Sequence, residues 1–176
     1  MAVLEHGRRM VESVLTTRMY AKCGKIDYTR QVFDKMSERN VMSWSAMISG
    51  YDHARRALNT VELFSRMKVE QANEFVFASA VSACASMLAV DVGKRIHSQS
   101  VVLGYADVSF MSNSRVSMYM KCGRCSDALL VFMSSSERKS VAYNAIITGL
   151  VVNGQVQDYD AELVVVVDNP VVGKKS

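Results

Sequence analysis

Apolar side chains recur along this chain at helical spacing, and the stripes break at short, regular intervals. In 41–68, Trp44, Met47, Ile48 and Tyr51 fall at i, i+3, i+4 and i+7, one face of a helix. Asp52 and His53 interrupt it, and a second stripe runs through Val61, Phe64 and Met67. Val32, Phe33 and Met36 form a similar stripe in 26–37. Cys23-Gly24 and Cys122-Gly123 fall between stripes, where a glycine ends a helix. Asp27 and Asp127 lie near the start of the following helix, the end of the dipole that favours a negative charge. Sustained period-2 alternation is absent outside the C-terminal tail. The pattern predicts about nine or ten helices and essentially no sheet.

The stripes belong to a repeat. Met19-Tyr20-Ala21-Lys22-Cys23-Gly24 returns as Met118-Tyr119-Met120-Lys121-Cys122-Gly123, 99 residues later. In that register, residues 19–51 share 13 identities over 33 positions with the second copy. A shorter period of 31 residues relates Val32-Phe33-x-x-Met36 to Leu63-Phe64-x-x-Met67. Three units of this size make one long repeat. A period of that length indicates a solenoid, in which each two-helix unit buries its apolar face against its neighbours.

Composition narrows the class. Of 176 residues, 49% are hydrophobic and 22% charged, which argues against wholesale disorder. No apolar run approaches the roughly 18–20 residues of a membrane span. Four cysteines do not make a disulfide framework in a chain of 176 residues. The net charge of +4 mildly favours an anionic partner. The N-terminus lacks the apolar core of a secretory signal, and Glu5 and Glu12 are unlike an organelle transit peptide.

These motifs resemble pentatricopeptide-repeat proteins, specifically the plant type that mixes standard, long and short repeats. Met19–Gly24 and Met118–Gly123 match the family's short-repeat signature. Gln31–Asn40 looks like its ending, and Val41–Tyr51 resembles the opening of a standard repeat. Phe77–Ser86 and Gly93–His97 look like the two helices of a long repeat. The resemblance divides the chain into a long-repeat remnant (1–9), a short repeat (10–40), a standard repeat (41–73), a long repeat (74–108), a second short repeat (109–139), the start of a standard repeat (140–154) and a degenerate tail (155–176). Gly7 to Met19 spans 12 residues where Gly93 to Met118 spans 25, so the chain reads as a truncated member. Leu163-Val164-Val165-Val166-Val167 in the tail is uncharged and β-branched, a pattern prone to aggregation.

The implied fold is all-α: a right-handed α-solenoid of helix-turn-helix repeats, a superhelix like that of tetratricopeptide repeats. The implied function is sequence-selective binding of single-stranded RNA, one base per repeat. The role is that of a non-catalytic adaptor in organellar RNA processing or RNA editing, in mitochondrion or chloroplast, with other processing or editing proteins as further partners. No cofactor, membrane or small-molecule substrate is implied. By resemblance, the base-reading pair is a residue early on each first helix plus the last residue of the repeat. In 41–73 the pair is Ser45 and Asn73, which the family's pairing rule associates with adenine. In 109–139 it is Asn113 and Lys139, the lysine being off-code. Asn144 is the first member in the last repeat. Asn40 closes the first repeat, opposite a non-polar Val14, and the long repeat offers Ala78 with Asp107 or Val108. Met42, Phe75, Phe110 and Val141 would cover the flat faces of the bases.

Two other readings stay open at this point: a helical-repeat scaffold that binds a protein partner, and a truncated relic without function. Editing enzymes of the family add a zinc deaminase, which needs His-x-Glu and Pro-Cys-x-x-Cys. His6, His53 and His97 are each followed by other residues, so that chemistry is not in this sequence. Cys122-Gly123-Arg124-Cys125 has redox or half-zinc-site spacing, but the repeat signature already accounts for Cys122 as a packing residue. Arg55-Arg56 and Lys94-Arg95 sit at second-helix starts, where a cation opposes the dipole. They read as solvated surface or as phosphate contacts.

Overall fold

The computed structural model describes residues 25–105, 108–135 and 140–155. The expectations for 1–9, for the first part of the first short repeat, for Lys139 and for the tail beyond Gln155 lie outside those residues. The helices are α1 (Ile26–Asp34), α2 (Val41–His53), α3 (Ala57–Arg66), α4 (Glu74–Met87), α5 (Val90–Val102), α6 (Ser109–Lys121), α7 (Cys125–Ser134) and α8 (Ser140–Val152). A short 3-10 turn at Val69–Gln71 joins α3 to α4. No strand occurs among the described residues.

The long sequence period is also the structural period. α2 and α8 each have 13 residues and start and end 99 positions apart, and Ile26 opens α1 as Cys125 opens α7. The helices form two layers. α2, α4, α6 and α8 pack side by side in one layer, while α1, α3, α5 and α7 lie on its back. Each helix of the second layer packs on first-layer helices, so one continuous core runs the length of the array. Phe33, Met47, Ile48, Leu63, Phe77, Met111, Met118, Phe132, Ile146 and Leu150 fill it. This is the α-solenoid expected from the repeat.

Side-chain size sets the spacing of the first layer. α4 buries Ala78, Ser79, Ala80, Ala83, Cys84 and Ala85, and these small residues let α2 and α6 approach from both sides. In α8, a Cβ on Gly149 would stand 2.6 Å from Met120 Cβ, so only glycine permits that approach. The helix ends repeat as well. The N–H of Arg56, Tyr105, Arg124 and Gln155 returns to the carbonyl of Tyr51, Ser100, Tyr119 and Leu150, five residues back in each case. This closure places the preceding residue in the left-handed region. Glycine takes that place at Gly104, Gly123 and Gly154, with φ of 85°, 71° and 66°. After α2 the residue is Arg55, with φ of 59°.

The stripes fall inward, although Val32, Met36 and Val61 are only partly buried. Trp44 is only partly buried and sets its edge against Phe33, ring centroids 5.0 Å apart. Cys125, incidental by sequence, opens α7 as a buried core residue.

Candidate nucleic-acid interface

The four first-layer helices carry an apolar side chain at the same early position. Met42, Phe75, Phe110 and Val141 are each the second residue of α2, α4, α6 and α8. Their exposures are 52%, 54%, 51% and 60%, so none is spent on the core. Among the described residues, these large apolar groups form an exposed row at one register of the first-layer helices.

One turn further along lie the candidate reading residues. Ser45 is partly buried and its Oγ donates to Asn73 Oδ1 at 3.5 Å. That bond brings together two residues 28 apart in sequence. Asn73 also caps α4, its Oδ1 accepting from Val76 N–H at 3.1 Å. Asn40 has the same post at α2, accepting from Ser43 N–H at 3.0 Å. Asn40 and Asn73 therefore each cap the first-layer helix that follows them. Asn113 is partly buried, and its Oδ1 is buried with no hydrogen-bond partner. Asn144 is exposed on α8. Ala78, at the matching position of α4, is 3% exposed.

Phe110, Asn113 and Val141 line one open groove of about 300 Å³, with Ser82, Ala85, Ser114, Ser117 and Lys121. Sequence reasoning did not single out Ser82, Ser117 or Lys121. The register held the signal: Ser82 and Ser117 follow Phe75 and Phe110 by seven residues, as Ser49 follows Met42. Asp52 lies on the same layer. Burial raises its carboxyl above the usual range, against the opposing pull of a hydrogen bond from Ser82 and the charges of His53, Arg55 and Lys121. Asp52 is thus a half-buried acid that feels the charge of a basic residue of the groove.

The paired basic residues at second-helix starts have another use. Arg56 donates to Asp27 through both terminal guanidinium nitrogens, and Lys94 Nζ reaches Asp127 Oδ2 at 3.1 Å. Each pair ties one repeat to its neighbour. A hydrogen bond from Arg56 holds Asp27 low, and Lys94 and Arg124 hold Asp127 low despite its burial. Arg56 and Lys94 are engaged rather than simply solvated, and the acids that charge the helix N-termini double as inter-repeat clamps. His97, partly buried on α5, has its Nδ1 2.9 Å from Tyr119 Oη. Burial lowers its pKa to about 4, helped by Arg115. Burial likewise pushes the Cys84 thiol up to about 11 and raises Cys122 and Cys125, so none of the three is an activated thiolate.

A two-layered array of helix hairpins, with exposed apolar side chains recurring along one layer, defines a helical-repeat protein. The family model described as the PPR repeat matches residues 18–41, 42–71 and 141–158. Between the second and third matches, α4 to α7 continue the same architecture. A chloroplastic pentatricopeptide repeat-containing protein of Arabidopsis thaliana is 40% identical over 138 residues, covering 74% of this chain and 16% of the relative. A second such protein of that plant is 39% identical over 143 residues, covering 77% of this chain and 17% of its own. A mitochondrial one is 37% identical over 142 residues, covering 80% and 20%. The chain belongs to the pentatricopeptide-repeat family. It spans about a fifth or less of the length of these relatives.

Proposed function

We propose that the first-helix layer binds single-stranded RNA, with bases stacked on Met42, Phe75, Phe110 and Val141 and hydrogen-bonded by the polar residues one turn deeper. The observation that carries this reading is the groove between Phe110 and Val141. It places a buried, unpartnered amide oxygen, Asn113 Oδ1, between two exposed apolar groups. A buried acceptor without a partner costs about 1–3 kcal/mol, and a base N–H entering the groove would recover it. Ser45 with Asn73 offers a second hydrogen-bonding position, and Asn144 a third on the exposed flank of α8. Lys121, exposed at the groove, supplies positive charge for a phosphate.

The reading includes a non-catalytic role. The chain positions RNA for other proteins of organellar processing or editing, and it acts in a chloroplast or mitochondrion, the compartments that the names of two relatives give for those proteins. The division into short, standard and long repeats belongs to the same proposal.

The test is fluorescence anisotropy of the purified chain with labelled single-stranded RNA, at low and physiological salt. Binding should weaken steeply with salt, and Asn113→Ala should lower affinity about fivefold or more. Ser45→Ala should weaken adenine-rich RNA more than other sequences. A helical sample that binds no RNA at low salt would sink the proposal.

A further inference from the structure

One face of α6 runs along the open groove. Phe110, Asn113, Ser117 and Lys121 fall at i, i+3, i+7 and i+11 on that helix, and all four line the groove. At a rise of about 1.5 Å per residue, Ser117 stands about 6 Å along the axis from Asn113 on one side and from Lys121 on the other. The serines of the groove are Ser82, Ser114 and Ser117, and the first two are already engaged. Ser114 Oγ donates to the carbonyl of Phe110 at 3.1 Å, and Ser82 donates to the Asp52 carboxylate. Ser117 is partly buried, yet its hydroxyl has no hydrogen-bond partner among the described residues. It does not turn back to the carbonyl four residues earlier, as Ser86, Ser98 and Ser114 do. Its hydroxyl is therefore an unused donor and acceptor halfway along the groove.

We propose that Ser117 hydrogen-bonds the 2′-hydroxyl of the nucleotide seated in this groove, so that the groove selects ribose over deoxyribose. This rests on the RNA-binding reading above, which puts a base between Phe110 and Val141 with its edge at Asn113, and a phosphate at Lys121. The sugar joins base to phosphate, so it falls between those two anchors, beside Ser117. A 2′-hydroxyl both donates and accepts, as a serine hydroxyl does, and the pair bonds in either sense. A deoxyribose presents only C–H at that place. Asn113 and Ser117 thus divide the work: the amide senses the base, and the hydroxyl senses the sugar whatever the base. The same register elsewhere is less free. Ser49 Oγ lies 3.3 Å from Ser79 Oγ, Ser82 is held by Asp52, and Thr148 does not line this groove.

The experiment is fluorescence anisotropy of the full chain, at low salt, with a labelled RNA octanucleotide of mixed sequence and with versions that each carry a single 2′-deoxynucleotide at a different position. In the parent, one position should lose about threefold to tenfold in affinity with its 2′-hydroxyl, the worth of one neutral hydrogen bond. Ser117→Ala should weaken the all-ribose strand by a similar factor and abolish the penalty at that position, because both changes remove the same bond. Alanine is the better helix former, so this variant keeps the fold, which circular dichroism verifies. Asn113→Ala, which removes a contact to the base, should leave the penalty in place. A parent indifferent to 2′-deoxy substitution at every position would overturn the proposal alone, as would a penalty that survives undiminished in Ser117→Ala. Absence of binding by the all-ribose strand would instead overturn the RNA reading, and the role of Ser117 with it.

Discussion

Arg55 and Leu88 are the two described helix ends where a residue other than glycine takes the left-handed place. Arg55 sits at φ 59° in the turn between α2 and α3, where the equivalent turn after α6 has Gly123 at 71° and the one after α8 has Gly154 at 66°. A residue with a Cβ costs about 1–2 kcal/mol in the left-handed region. Glycine returns about half of that through the greater freedom of the unfolded chain. The Arg55 side chain is exposed, and Asp52 is the acid whose field it touches, so little else is lost on removal. Arg55→Gly should therefore stabilise the fold by about 0.5–1 kcal/mol, with a melting temperature raised by about 1–4 °C. Gly123→Ala makes the same change in reverse and should cost about 1 kcal/mol. Urea unfolding followed by circular dichroism gives both values, provided the slope of the transition is unchanged. An Arg55→Gly chain that unfolds at lower urea than the parent would refute the reasoning, since its only native-state effect would then be a contact absent from this turn.

Other substitutions separate packing, capping and titration. Gly149→Ala should destabilise by about 1–3 kcal/mol in thermal melts, because the new methyl meets Met120 Cβ rather than a flexible tip. Asn73→Ala should cost about 1 kcal/mol of stability through the lost α4 cap, with or without RNA, whereas Asn113→Ala should leave stability equal or higher because its oxygen has no partner to lose. Stability should also depend on pH through two half-buried groups of opposite sign. His97 takes up a proton near 6.5 when unfolded but only near 4 when folded, so its contribution is full above pH 6.5 and is lost as pH falls toward 4. Asp52 holds its proton to higher pH in the fold than when unfolded, so Asp52→Asn should stabilise at neutral pH and lose that advantage in acid. Urea midpoints of the parent and of each variant between pH 4 and 7.5 would check both signs.

Helices, period and family were written in one dimension. Spacing along the chain decides which faces are apolar, and the 99-residue echo decided that α2 and α8 would match end to end. Local chemistry was equally legible: Gly123 ends a helix and Asp127 starts one because those effects act within a turn. Only the packed array decided which neighbour each group meets. Asp127 was expected to serve its own helix, and it also holds Lys94 of the preceding repeat. Cys125 looked incidental and became core, because the surface of α7 that it occupies is covered by the first-layer helices. The rings of Phe75 and Phe110, at the same register of their helices, lie with centroids 5.8 Å apart. Their separation is set by how closely α4 and α6 approach. That distance comes from the small residues of α4 and the side chains between the layers, not from the spacing of either phenylalanine along the chain.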